Sequence, residues 1–388
     1  MTKNRICRSA RAATGARVIA ASLLLMATAG ILFAARSEQR TTRDPGLWPF
    51  SADSPWNMPL GKDAKFAETS DPAAADVLRG NARVNANNGW SHPVYQAKAD
   101  DPLTTWTDVR GKVVSYLPDE KGQKSLQERT PSTATPAEGN GKWDRHMHVI
   151  APGGTSLIEG FRVLRQSPTD LTAQVYRTDL RGTGIEKGGT RAYGGSAIGG
   201  LIRIHEIQNR HIPHAIAVAM GDDQLGKAKH GSSASPAFDQ AFVWPATWTD
   251  GHDYKKPGSV RMGMLFAIPR SVDIGKLGLN PEALAVARAM QEYGAYVVDY
   301  GAPTVIYMQQ GVPDTAVNNV KAQADIIKNQ LRRVTNISRP NWEKWRASGQ
   351  GMGGGSPIAP FAPPFTGVTS QALSAANTSH RLPAEKKP

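Results

Sequence analysis

Residues 141–150 read Gly-Lys-Trp-Asp-Arg-His-Met-His-Val-Ile. His146 and His148 alternate with Met147 and Val149, which is the period-two pattern of a β-strand. As a strand, the segment turns both imidazoles to one face, near Trp143, and its apolar side chains to the other. Neutral imidazole is a common metal ligand and a base near neutral pH, so the pair suits either use. The chain has nine histidines, and His211, His214 and His252 are candidates to join this pair.

Outward from this segment, short β-branched or alternating runs recur, each bounded by Gly, Pro, Asp or Asn. They are Gly111–Leu117, Ser156–Val163, Leu171–Tyr176, His214–Met220, Val260–Ile268 and Thr304–Met308, and each reads as a strand. Gly122 to Gly141 mixes Lys, Glu, Ser, Thr and Pro and reads as an exposed loop. Two helices come late. Asn280-Pro281-Glu282 supplies a cap, a first-turn proline and an early acid ahead of Leu284, Ala287 and Met290, with an end near Gly294. Asp314–Val334 carries Val317, Val320, Ala324, Ile327 and Leu331 at helical spacing. The expected fold is therefore mainly β, a β-sandwich or jelly-roll-like single domain with two late helices.

The ends of the chain differ from this body. Lys3, Arg5, Arg8, Arg11 and Arg17 precede an uncharged apolar run, Val18 to Ala35. That order reads as an export signal over 1–35, cleaved, or else retained as a membrane anchor through 18–35. The protein is thus expected to be exported, periplasmic or secreted, or held at the inner membrane if the leader stays. Residues 36–47 read as a linker, 48–345 as the β-rich body, and 346–388, rich in Gly, Pro and Ser, as a disordered tail. The single cysteine, Cys7, lies in the leader, so the body has no disulfide or thiolate chemistry.

The net charge is +13, but it is concentrated at the ends. Eight Lys/Arg against two Asp/Glu in residues 1–45, and four against one after Trp345, account for +9 and leave the body near +4. With no basic stripe and no nucleic-acid module, nucleic acid is not an expected partner.

Three further stretches carry chemistry-bearing residues. Arg191-Ala-Tyr193-Gly-Gly-Ser-Ala-Ile-Gly-Gly200 joins a carboxylate-binding cation and a proton-carrying phenol to a glycine-rich bend. It is neither a phosphate loop nor a serine-nucleophile elbow. His214 opens an apolar strand, sharing a face with Ile216, Val218 and Met220; its plainer reading is a satisfied core histidine. Trp244, Trp248, Asp250 and His252 form an aromatic and polar stretch that suits a sugar-binding wall, or a loop pinned by two half-buried rings.

In the order Asp53-Ser-Pro-Trp-Asn57, Arg145-His-Met-His-Val149, Gly194 to Ile204, His214-Ala-Ile, Trp244-Pro-Ala-Thr and Met290-Gln-Glu-Tyr-Gly294, the body resembles a group of secreted bacterial proteins of unassigned function. The resemblance covers most of residues 50–310 and implies export without implying an activity. Likeness to jelly-roll polysaccharide lyases is one of architecture only.

These features together suggest an exported enzyme cleaving a polysaccharide or cell-envelope glycan, with β-elimination on an acidic glycan as the leading scheme. In it Arg191 neutralises a uronate carboxylate, His146 or His148 removes the neighbouring proton, and Tyr193 protonates the leaving oxygen. His214 stands by as a further catalytic candidate, and Trp143, Trp244, Trp248, Asp250 and His252 bind sugar. The scheme needs no cofactor; a metal ion at His146, His148 and His214 is the alternative use of the same imidazoles. Glycoside hydrolysis and non-catalytic glycan binding are the other readings.

Overall fold

The computed structural model describes residues 42–137, 144–186, 188–226, 242–249 and 258–365. Along the chain run α1 (Pro72–Asp76), β1 (Arg83–Asn85), β2 (Val94–Gln96), β3 (Leu103–Asp108), β4 (Val114–Ser115), β5 (Ser125–Arg129), β6 (Met147–Ile150), β7 (Ser156–Ser167) and β8 (Asp170–Asp179). Then follow α2 (Ile204–Gln208), β9 (Ile216–Met220), β10 (Leu265–Ala267), α3 (Pro281–Glu292), β11 (Ala295–Tyr300), β12 (Val305–Tyr307), α4 (Asp314–Lys328), β13 (Arg332–Arg333) and α5 (Arg339–Ala347). Among the described residues the protein is mainly β, with two sheets and five helices.

One sheet has the order β1-β12-β9-β11-β10-β13 and mixes parallel and antiparallel pairs. Its central strand β9, Ile-Ala-Val-Ala-Met, is buried at every residue, which is what a strand covered on both faces requires. The register of β11 against β9 shifts between Val297 and Asp299, a bulge that redirects the side chains beyond it. The second sheet runs β2-β6-β7-β8-β3-β5, with β4 on β8. Met147 and Val149 of β6 enter its own core with Trp106, Ile158, Leu171 and Val175.

The two sheets meet where β2 passes the end of β12. His92 bridges to Gln309, the Gln310 N–H donates to the His92 carbonyl, and Gln309 Nε2 donates to Val94 O. On its other side β2 pairs parallel with β6, Val94 opposite His148. This seam positions the site.

Several expectations need correction. The segment 122–141 contains β5, since Ser125–Arg129 pairs along β3 and buries Leu126. The second late helix stops at Lys328 rather than Val334, because Arg332 and Arg333 leave to pair with β10. The first late helix does end near Gly294 as expected: it stops at Glu292, and Ala295 starts β11 directly after the left-handed turn at Gly294 (φ 87°). The body begins at Asp44, whose carbonyl accepts from the Trp48 N–H, so 44–47 is not linker. Residues 346–365 are likewise packed on the body: Met352 is buried and bridges Leu60, and Pro357 bridges Gly61. The leader lies outside the described residues, as do Trp143, Asp250, His252 and the tail beyond 365. Among the described residues no helix is long and apolar enough to cross a membrane.

Candidate functional site

Three histidines converge at the seam. Period-two geometry in β6 sends Met147 and Val149 into the core and His146 and His148 to the opposite side. The parallel neighbour β2 then delivers His92. His92 Nδ1 lies 3.0 Å from His148 Nε2, and the His92 ring lies 4.2 Å from that of His146. One ligand atom from each of the three falls within 4.8 Å of the others. All three rings are buried, and among the described residues Nδ1 of His146 and of His148 has no hydrogen-bond partner.

Burial, reinforced by positive Arg191, drives His146 down to about 3. Burial, Arg191 and the neighbouring histidines hold His92 and His148 well below the ordinary imidazole range. All three are neutral at physiological pH and offer lone pairs rather than charge. Two imidazole nitrogens bound at about 2.0–2.1 Å to a tetrahedral metal stand about 3.3 Å apart, close to the His92–His148 spacing. The donor set therefore fits a divalent transition metal held by three imidazoles. Such a set leaves further coordination positions for water or substrate.

Two members of the cluster, His92 and His146, line a cavity of about 550 Å³, to which Asp144, Asp299, Tyr307 and Trp90 also contribute. Beyond the bulge in β11, Asp299 Oδ2 sits 3.3 Å from Arg191 Nη1 and accepts from the Tyr307 hydroxyl at 3.3 Å. Arg191 lies 3.7 Å from the centre of the Tyr307 ring, which in turn packs edge-on to His92. Burial pushes the Asp299 carboxyl up against the opposing pull of Arg191, and burial together with Asp299 raises Asp144. Asp144 Oδ2 is 3.9 Å from His146 Nε2.

The other sequence candidates are placed elsewhere or differently used. His214 is absent from the cluster: its Nε2 contacts the Glu206 carboxylate at 3.0 Å and its Nδ1 lies 2.8 Å from Ala215 O. Glu206 also accepts the Arg203 N–H in a capping box that starts α2. Arg191 touches the site from behind, its side chain fully buried and paired with Asp299, so it is not presented to a uronate. Tyr193 is 1% exposed, and its hydroxyl lies 3.2 Å from both Gly184 O and Ser196 O. Burial and Glu159 raise this phenol well above its usual range, so it is a poor proton donor to a substrate. Trp244 packs on Trp342 at 5.1 Å, and Trp248 donates its backbone N–H to Tyr193 O; neither lines the cavity.

Sequence reasoning missed His92, Asp144, Asp299, Tyr307 and Trp90. The usable signal for His92 was its setting, Gly89-Trp-Ser-His-Pro93, a histidine beside an aromatic in a turn-rich stretch. No family model, curated protein or solved structure matches the chain.

Proposed function

We propose that this protein is an exported, metal-dependent enzyme acting hydrolytically on a glycan, with His92, His146 and His148 as the protein ligands. The observation that carries this reading is the convergence of three buried, neutral imidazoles from two separate strand regions, two of them, His92 and His146, on the wall of a large cavity. Buried polar atoms normally find partners, and Nδ1 of His146 has none among the described residues. A divalent metal in this set would supply Lewis-acid polarisation and lower the pKa of a bound water. The protein's own contribution is the placement of Asp299 on the cavity wall, fixed by Arg191 and Tyr307, where its carboxylate takes a proton from water and returns it to the leaving group.

Hydrolysis is favoured over β-elimination because the two side chains required for elimination are committed internally. Arg191 is ion-paired with Asp299, and the Tyr193 hydroxyl lies between two carbonyl oxygens. The half-exposed Trp90 on the cavity rim supports a sugar substrate, and it also suits a protein that binds glycan without cleaving it.

The deciding experiment is metal analysis of protein purified without a histidine tag, before and after incubation with Zn²⁺, Mn²⁺, Co²⁺, Ni²⁺, Cu²⁺ or Fe²⁺. About one equivalent of a transition metal in the native chain, and its loss in His148→Ala, is the expected result. A folded native protein that retains none of these ions overturns the metal reading.

A further inference from the structure

The site does not end at the histidine cavity. Asn88 lines that cavity and also an adjoining open groove of about 650 Å³, whose walls include Asn87, Gln310 and Asp314. Trp90 stands on the cavity wall near this junction, 48% exposed. Each volume lies within the roughly 300–1,000 Å³ that accommodates a whole small-molecule ligand, so the joined space suits a chain of rings rather than a single sugar.

The chemistry of the walls selects among chains. The cavity presents Asp144 and Asp299 against one cation, Arg83, and the groove adds Asp314 without a compensating cation. Arg191 is buried against Asp299, and Arg162, which does not line the cavity, acts on Asp144. A polyuronate or sulfated chain would bring like charge to these carboxylates, which costs binding energy. The remaining polar groups are the imidazoles, the phenols of Tyr300 and Tyr307, and amides that can meet hydroxyls in either sense. The turn carrying them is fixed internally: Asn88 Oδ1 accepts the Trp90 N–H at 2.9 Å, Asn85 Nδ2 donates to Trp90 O at 2.9 Å, and Ser91 Oγ donates to Gln310 Oε1 at 2.7 Å. The indole and amides are therefore presented in a set arrangement, with less ordering left to occur on binding.

We infer that the cavity and groove together bind an uncharged glycan chain, stacked on Trp90 and running along Asn88 and Gln310 toward the histidine cluster. This rests on the glycan part of the proposed function and is independent of whether a metal binds.

The test is affinity electrophoresis of the full-length protein in gels containing a neutral polymer (dextran, laminarin or glycol chitin in its acetylated form) or an acidic one (polygalacturonate or alginate). Retardation by at least one neutral polymer and by neither acidic one is expected. Trp90→Ala should weaken that retardation about fivefold or more, and Trp90→Phe should restore most of it. Thermal melts and metal content of the Trp90 variants establish that they are folded with an intact histidine cluster. Retardation by the acidic polymers alone, retardation that ignores Trp90, or none with any polymer overturns the inference. Metal bound without glycan retention would sink this inference alone, whereas glycan retention without metal would sink the metal reading alone.

Discussion

His92 Nδ1 and His148 Nε2 stand 3.0 Å apart although 56 residues separate them in the chain. Their meeting is set by backbone, because parallel pairing of β2 with β6 places Val94 opposite His148 and brings the preceding turn against it.

If these nitrogens share a metal, His92→Ala should lower metal affinity as strongly as His148→Ala, by at least tenfold. Metal that binds only the folded protein stabilises it by about 2.7 kcal/mol at a hundredfold excess over Kd. Addition of the native metal should therefore raise the melting temperature of the metal-stripped wild type and leave His92→Ala unchanged. An equal rise in both would remove His92 from the ligand set.

Asp299 is expected to act on the proton rather than on the metal. Asp299→Asn keeps a hydrogen-bond acceptor for Arg191 and Tyr307 but loses the base, so kcat on the cleaved glycan should fall about 10²–10⁴-fold. Metal content should stay at the wild-type level. A variant that keeps its kcat would exclude the role.

The Glu206–His214 pair is expected to shape stability against pH. Burial opposes both charges, yet Glu206 is held below the ordinary carboxylate range by His214 and the Arg203 N–H, and His214 is held above the ordinary imidazole range by Glu206, with Arg203 pulling the other way. The Glu206 contribution is complete above the unfolded carboxylate pKa and disappears as pH falls through its lowered folded value. That of His214 is complete below the unfolded imidazole pKa and disappears as pH rises through its raised folded value. The pair should stabilise most between these limits. His214→Ala should cost about 3–5 kcal/mol in that window by leaving a buried carboxylate unpaired. Urea-denaturation midpoints across pH for the wild type and for Glu206→Gln/His214→Gln would show it, the double variant giving the flatter profile.

Packing of the segment after α5 on the body can be tested at one glycine. A Cβ on Gly61 would lie 1.8 Å from Gly354 O, so Gly61→Ala should destabilise by about 1–3 kcal/mol or more. Early proteolytic cleavage near residue 350 should accompany it. An unchanged melt and digestion pattern would show that this contact does not hold the segment.

The sequence revealed what local periodicity encodes. Alternation in 146–149 announced two imidazoles on one face of the strand, and Asn280-Pro281 announced the start of α3, where the Asn280 side chain does accept from the Ala283 N–H. What escaped was encoded by pairing between distant segments. β2 is three residues long, too short to show a period, so nothing local linked His92 to the pair. Asp299 reaches the cavity beyond a bulge in β11, and a register shift between strands leaves no mark in either strand alone. Arg191 and Tyr193 drew attention as reactive side-chain types; their burial is set by β11 and the Gly184–Ser196 bend, visible only once the chain is folded. His214 belonged to the third kind, a residue whose plainer reading, a satisfied core histidine, describes its pairing with Glu206.

His92 is tied by its backbone carbonyl to Gln310 beyond β12, while the next residue, Pro93, accepts the N–H of His148 on β6. The three imidazoles therefore travel with the second sheet, while Asp299 on β11 and Tyr307 on β12 belong to the first. Any excursion that parts the sheets carries Asp299 and Tyr307 away from the histidines before either sheet has to unravel, so activity should vanish on heating while most of the secondary structure persists.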